Sequence, residues 1–419
     1  MKLISPVWHP FTQHAVQPEA TPISRGEGAW LETADGRRIF DAISSWWVVT
    51  HGHCHPHIVK AIKDQVDCLD QVIFAGFTHE PAEKLARHLI AITPPELEYV
   101  FFSDSGSTSV EVALKMALGF WRHRGEKRCR ILALEGAYHG DTIGGMSVGA
   151  RGVFNAPYDP LLFDVERIPF PSIECEEATL DALNGACRRG GIAALIVEPL
   201  ILGAGGMLIY PPCVLADMKR VCERHGVLFI ADEVMTGWGR TVTLFACEQA
   251  GVTPDIACYS KGLTGGSLPL AVTLCRADIF DAHYSADRTR TFFHSSSYTA
   301  NPIACAAALA NLEIWEREPV MQRIAGIANL HMKGLDRFRE DRRLTNVRQI
   351  GTIAVLDIVV PDAGYMANIS PRLYQSFLAR GLLVRPLGNT IYLMPPYCSN
   401  EDELDLVYQA IGEIADEIE

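Results

Sequence analysis

Short apolar or β-branched runs recur along the chain with helical segments between them: "YVFFS" (99–103), "RILALEG" (130–136), "IAALIVEPL" (192–200), "GVLFIADEV" (226–234), "DIACYS" (255–260) and "LAVTLC" (270–275). Continuous runs of this length, rather than alternating ones, predict strands buried on both faces. Strands that alternate with helices predict an α/β fold built on a largely parallel sheet. Catalytic loops then belong at the carboxyl ends of the strands. "FFSDSGSTSVEVALKMALGFW" (101–121) shows the unit most plainly: a strand, a Ser/Gly turn, and a helix whose apolar positions Val110, Ala113, Ala117 and Trp121 recur at helical spacing.

The pattern changes after the alanine-rich helix candidate "NPIACAAALANLEIWE" (301–316), where charge density rises through "HMKGLDRFREDRRL". A boundary near residue 316 is expected, with residues 46–316 forming a large unit. Residues 317–419 form a smaller α+β unit with "GTIAVLDIVV" (351–360), "GLLVRPLGNTIYLMPPY" (381–397) and an acidic, solvated terminal helix. The first 45 residues are proline-rich, read as irregular, and are expected to join the smaller unit.

Composition narrows the function classes. The 419 residues are 48% hydrophobic and 21% charged, as in an ordinary globule. A net charge of −13 argues against a nucleic-acid groove. No run of about 18 apolar residues appears, and "MKLISPVWHP" lacks the apolar core of a signal peptide, so neither membrane nor export is indicated and the cytoplasm is expected. Twelve cysteines without a CxxC pair read as reduced, mostly buried thiols. "HGHCHPH" (51–57) has no usual zinc spacing, and no metal is expected there.

In "CYSKGLTGGSLPL" (258–270), Lys261 stands between an apolar run and a glycine cluster. Burial disfavours the ammonium and so produces a nucleophilic amine near neutral pH. The turn at Gly106 and Ser107 suits a phosphate through free helix-start amides, or serves as an ordinary N-cap. Asp232, ending "FIAD", suits a pyridinium partner, or a cap or ion pair. Tyr138 in "EGAYHGDT" suits ring stacking over a flat cofactor, or half-buried packing.

Phosphate turn, aromatic, carboxylate and lysine follow in the order 106, 138, 232, 261. That order, with "IADEVMTGWGRT" about thirty residues before "SKGLTGG", resembles the class III, fold-type I aminotransferases that use pyridoxal 5′-phosphate (PLP). The resemblance spans nearly the whole chain. It implies a large domain with a mostly parallel seven-stranded sheet, a smaller α+β domain, and ping-pong transamination. "WHPFTQ" (8–13), "DAISSWWVVTHGH" (41–53), "YHGDTIGGMSV" (138–148) and "RPLGNTIYLMPPY" (385–397) point within the class to the biotin-pathway branch. S-adenosylmethionine is then the implied donor and 8-amino-7-oxononanoate the implied acceptor. A lysine donor, or another ω-aminotransferase activity, is the alternative.

Carried over by residue, Lys261 matches the Schiff-base lysine, Asp232 the pyridinium partner, Gly106 and Ser107 the phosphate turn, and Tyr138 the stacking tyrosine. Trp46 and Arg385 match substrate-binding residues, with Arg385 facing the acceptor carboxylate. "HSSSYTANP" (294–302) corresponds to a loop given by the second subunit of a homodimer, which implicates Ser295, Ser296 and Ser297. Three positions depart from the pattern: Phe11 where tyrosine is common, Ser295-Ser296-Ser297 for Gly-Pro-Thr, and Leu202 for glutamine.

Overall fold

The structure is a computed structural model that describes residues 5–17 and 19–418. Its strands are β1 (Ile23–Glu27), β2 (Trp30–Thr33), β3 (Arg38–Asp41), β4 (Tyr99–Ser103), β5 (Arg130–Leu134), β6 (Glu166–Ile168) and β7 (Ile192–Val197). A short ribbon, β8 (Ile201–Leu202) and β9 (Leu208–Ile209), precedes β10 (Leu228–Asp232), β11 (Ile256–Tyr259) and β12 (Ala271–Cys275). The chain closes with β13 (Leu344–Ile350), β14 (Ile353–Ile358), β15 (Leu382–Leu383) and β16 (Thr390–Leu393).

The central sheet has seven strands in the order β4-β12-β11-β10-β7-β5-β6. All neighbours are parallel except at β12, which runs against both β11 and β4. Every residue of β7, β10 and β11 is buried, so neither face of these strands needs polar side chains. One face packs on the helix Gly106–His123 through Val110, Ala113 and Ala117. The other packs on the helices Glu176–Arg188 and Pro212–His225 through Leu183, Leu215 and Met218. The α/β architecture expected from the apolar runs is therefore present, and each run overlaps a strand.

Of the first 45 residues, the described ones before Ile23 form no strand or helix, as expected, but those from Ile23 onward are not irregular. β1, β2 and β3 form an antiparallel meander, and β3 pairs in parallel with β15 from the far end of the chain. Gly28, at φ 59°, makes the β1–β2 turn in a conformation that costs a glycine little. β1 is largely exposed, so no apolar alternation announces it, and backbone pairing alone defines it. β13, β14 and β16 make a separate antiparallel sheet, and the helix Glu401–Ile418 covers the nearby core with Leu404, Val407 and Ile411.

The histidine run is dispersed rather than clustered. His53 bonds Asp41 at 2.8 Å, His55 bonds Glu318 at 3.2 Å and His57 bonds Glu313 at 2.7 Å. Half of the twelve free cysteines are buried and five are exposed, a wetter distribution than expected. Among the described residues, no helix is long and apolar enough to cross a membrane.

Candidate active site

Five strands deliver side chains to one edge of the central sheet, each at its carboxyl end. Ser105, Gly106 and Ser107 follow β4, Tyr138 and His139 follow β5, Glu198 follows β7, Asp232 ends β10, and Lys261 follows β11. Together they line a cavity of about 220 Å³. A second cavity of about 640 Å³ shares Tyr138, Phe154 and Tyr365 with it.

The helix Gly106–His123 begins with a capping box: Thr108 N–H donates to Ser105 Oγ at 3.2 Å, and Ser105 N–H donates to Thr108 Oγ1 at 2.9 Å. Capping is thus the work of Ser105, which leaves the amides of Gly106 and Ser107 without an intrahelical acceptor. Gly106 is required by Val234, whose methyl a Cβ would meet at 2.6 Å. Ser107 Oγ accepts from Asp141 N–H at 3.0 Å and packs against Gly140, at φ 105°, so closely that any side chain there would collide.

Adjacent carboxylates at the end of β10 are separated by the strand's alternation. Asp232 faces the cavity, where its Oδ2 meets His139 Nδ1 at 2.7 Å and its Oδ1 accepts from Val234 N–H at 3.1 Å. Glu233 turns away and accepts from Ala246 N–H at 3.0 Å and Cys247 N–H at 2.8 Å. Burial opposes a charge on His139, but the hydrogen bond and charge of Asp232 outweigh it and raise its pKa.

Lys261 lies at φ 48° with its ammonium 4.8 Å from the centre of the Trp47 ring. Burial lowers its pKa to about 8, against the opposing pull of Asp232 and Glu198. The amine therefore loses its proton at a pH far closer to neutral than an ordinary lysine does, which favours a nucleophile. Burial also pushes the Tyr138 phenol upward, with Asp141 adding to the shift. That ring stays neutral at working pH.

The outer part of the cavity is aromatic. Phe11 meets Trp46 at 5.5 Å and Phe154 at 6.0 Å between ring centres, and Phe154 meets Tyr365 at 4.4 Å. Arg385 lies 5.4 Å from the Trp46 ring and donates to the Phe11 carbonyl at 3.1 Å. Trp47 donates to the Tyr392 hydroxyl at 2.9 Å, which fixes its indole beneath the lysine.

Of the residues expected at the site, Phe11, Trp46, Gly106, Ser107, Tyr138, Asp232, Lys261 and Arg385 converge on the cavity. Ser295, Ser296 and Ser297 do not line it within one chain. Their loop is closed on itself by Ser296 N–H to Thr299 Oγ1 at 3.0 Å and tied by Gln71 Nε2 to the Ser297 carbonyl at 2.8 Å.

A family model described as aminotransferase class-III matches residues 11–415. The chain belongs to this family. It is 49% identical to the adenosylmethionine-8-amino-7-oxononanoate aminotransferase of Synechococcus elongatus, over 98% of this chain and 99% of the relative. The enzyme of the same name from Geobacter sulfurreducens is 38% identical over 97% and 94%. Among solved structures, the Methanocaldococcus jannaschii enzyme of that name superposes with a TM-score of 0.93 at 34% identity, covering 97% of each chain. An amine transaminase from an uncultivated Pseudomonas species, solved with PLP bound, gives 0.93 at 33% identity over 98% of each chain.

The cavity brings together an amine, a carboxylate and the start of the helix Gly106–His123. His139 and Glu198 were missed from sequence. Glu198 carried nearly the same signal as Asp232: it directly follows the fully buried strand β7, as Asp232 ends β10.

Proposed function

We propose that this chain transfers an amino group from S-adenosylmethionine to 8-amino-7-oxononanoate, giving 7,8-diaminononanoate in biotin synthesis, by a ping-pong mechanism with PLP. The observation that carries the reading is that Lys261, Asp232 and Arg385 line one cavity whose wall between them is aromatic. Near full-length similarity to enzymes of that name supports the substrates.

Bound PLP supplies an electrophilic carbonyl and a ring that accepts the electron pair of a cleaved C–H bond. The amides of Gly106 and Ser107, at a helix N-terminus, bind its phosphate. Asp232 keeps a proton on the ring nitrogen; its bonds to His139 and Val234 leave lone pairs free for that contact. Tyr138 orients the ring by stacking. Lys261 Nζ takes the proton from the amine-bearing carbon of the donor and returns one to the acceptor carbon. Trp47 shields that amine from water.

At the outer end Arg385 binds the acceptor carboxylate bidentately, and Trp46 and Phe11 cover its aliphatic chain. The isolation of Ser295, Ser296 and Ser297 from their own cavity supports a homodimer in which this loop completes the neighbour's phosphate site. Pairing of β3 with β15 supports a small domain of residues 1–45 and 317–419 beside a large domain of 46–316. Twelve free thiols support a cytoplasmic location.

Single-turnover mixing tests the reading. The PLP form should convert to pyridoxamine phosphate with S-adenosylmethionine, and later addition of 8-amino-7-oxononanoate should release 7,8-diaminononanoate. Conversion by lysine alone would replace the donor, and failure of the acceptor to restore PLP would remove the assigned pathway.

A further inference from the structure

Glu198 is 5% exposed and lines the cavity, yet among the described residues it makes no ion pair. Its two oxygens are used differently. Oε2 accepts from Tyr138 N–H at 2.9 Å, and Oε1 accepts from Gly203 N–H at 2.9 Å. The backbone carbonyl of Glu198 is fixed in turn by the Tyr210 hydroxyl at 2.8 Å. One carboxylate therefore ties the loop after β5, which carries the Tyr138 ring, to the turn after β8, which brings Ala204 to the cavity wall. Leu202 nearby is buried and has no polar atom to share the task.

We propose that Glu198, as a carboxylate, is the positioning residue that locks the Tyr138 ring and the Gly203–Ala204 wall together around the PLP pocket. The proposal rests on the PLP reading above. The ionised form accepts from both amides at full strength, whereas protonation turns one oxygen into a hydroxyl, a donor and a much poorer acceptor. The titratable groups that act on or are fixed by Glu198 are His139 and Asp232, with Lys261 across the cavity and the Tyr138 and Tyr210 hydroxyls alongside. Burial raises its pKa to about 7; Asp232 adds to this, while His139 and the two amides oppose it. Acidification from pH 8 to 6 thus weakens one of the two tethers.

Two measurements test this. Glu198→Gln, which keeps one acceptor and the side chain's length, should weaken PLP binding about tenfold, on the order of one unmade buried hydrogen bond. In wild type, affinity should fall as pH drops through about 7 more steeply than in the variant, which should be weaker and keep only the slope that Lys261 sets. Wild-type affinity and pH slope in the variant would overturn the proposal. Hydrogen exchange on the cofactor-free wild-type chain needs no variant to fold. After correction for intrinsic rates, protection of peptides spanning 136–142 or 200–206 should fall between pH 8 and 6, and unchanged protection in both would refute the tether. Failure of wild type to bind PLP at all would count against the functional reading, while the exchange result would still decide the tether.

Discussion

Asp232 and His139 are buried and Lys261 is half-buried at or beyond the ends of central strands, and the Asp232 carboxylate is held at 2.7 Å by an imidazole from the loop after β5. Phe11 and Trp46, by contrast, are 45% and 43% exposed on irregular segments, and Arg385 is tied to Phe11 by a single carbonyl at 3.1 Å. The inner half of the site is thus fixed by the sheet, whereas the outer half is assembled from two distant parts of the chain. In the proposed function the inner half meets the same cofactor in every turnover. The outer half must admit two unlike substrates in succession, and loosely held aromatic side chains suit that task.

The contrast predicts how variants divide the two half-reactions. Asp232→Asn should slow both about equally, by about a hundredfold, because an amide cannot hold the ring nitrogen protonated. It should also lower the Lys261 pKa below about 8, since Asp232 now opposes the lowering caused by burial. Stopped-flow rates for each half-reaction, with pH titration of cofactor capture, check both statements. A loss confined to one half-reaction would break the comparison.

Arg385→Ala should cut the 8-amino-7-oxononanoate step at least tenfold, because removing a charge-assisted partner costs about 2–5 kcal/mol. The S-adenosylmethionine step should suffer less. Equal losses would make Arg385 an anchor common to both substrates and would blur the division. The smallest effect is expected from Phe11→Tyr, which adds a hydroxyl beside Trp46 and Arg385. It should lower the acceptor KM by about threefold, the scale of one net hydrogen bond, and leave PLP binding unchanged. A change in cofactor affinity would mean that the outer half also reaches the ring.

Much of the inner half was legible because it follows buried strands. "FIAD" and "CYSK" each end an apolar run with a charged residue, an arrangement with a high desolvation cost unless chemistry uses it. Glu198 obeys the same rule, but it lies inside the run "IAALIVEPL", where apolar residues continue past it and blur the strand end. β1, β2 and β3 were illegible for a different reason: β1 is almost wholly exposed while β3 is mostly buried, so no common period marks them, and β3 finds its partner at the far end of the chain, with Phe40 opposite Leu382 in β15. The outer half was legible as a motif but not as geometry. Phe11, at φ 49°, presents its carbonyl to Arg385 through a backbone conformation no residue pattern encodes. The loop Ser295–Ser297 was readable as a segment, but within one chain it does not line the cavity.

Borohydride reduction of the PLP-loaded enzyme followed by peptide mass mapping tests the central claim most directly. The account predicts one phosphopyridoxyl group per chain, on Lys261, and none after Lys261→Ala in a variant that remains folded. A label on another lysine, or the same stoichiometry in the variant, would contradict it.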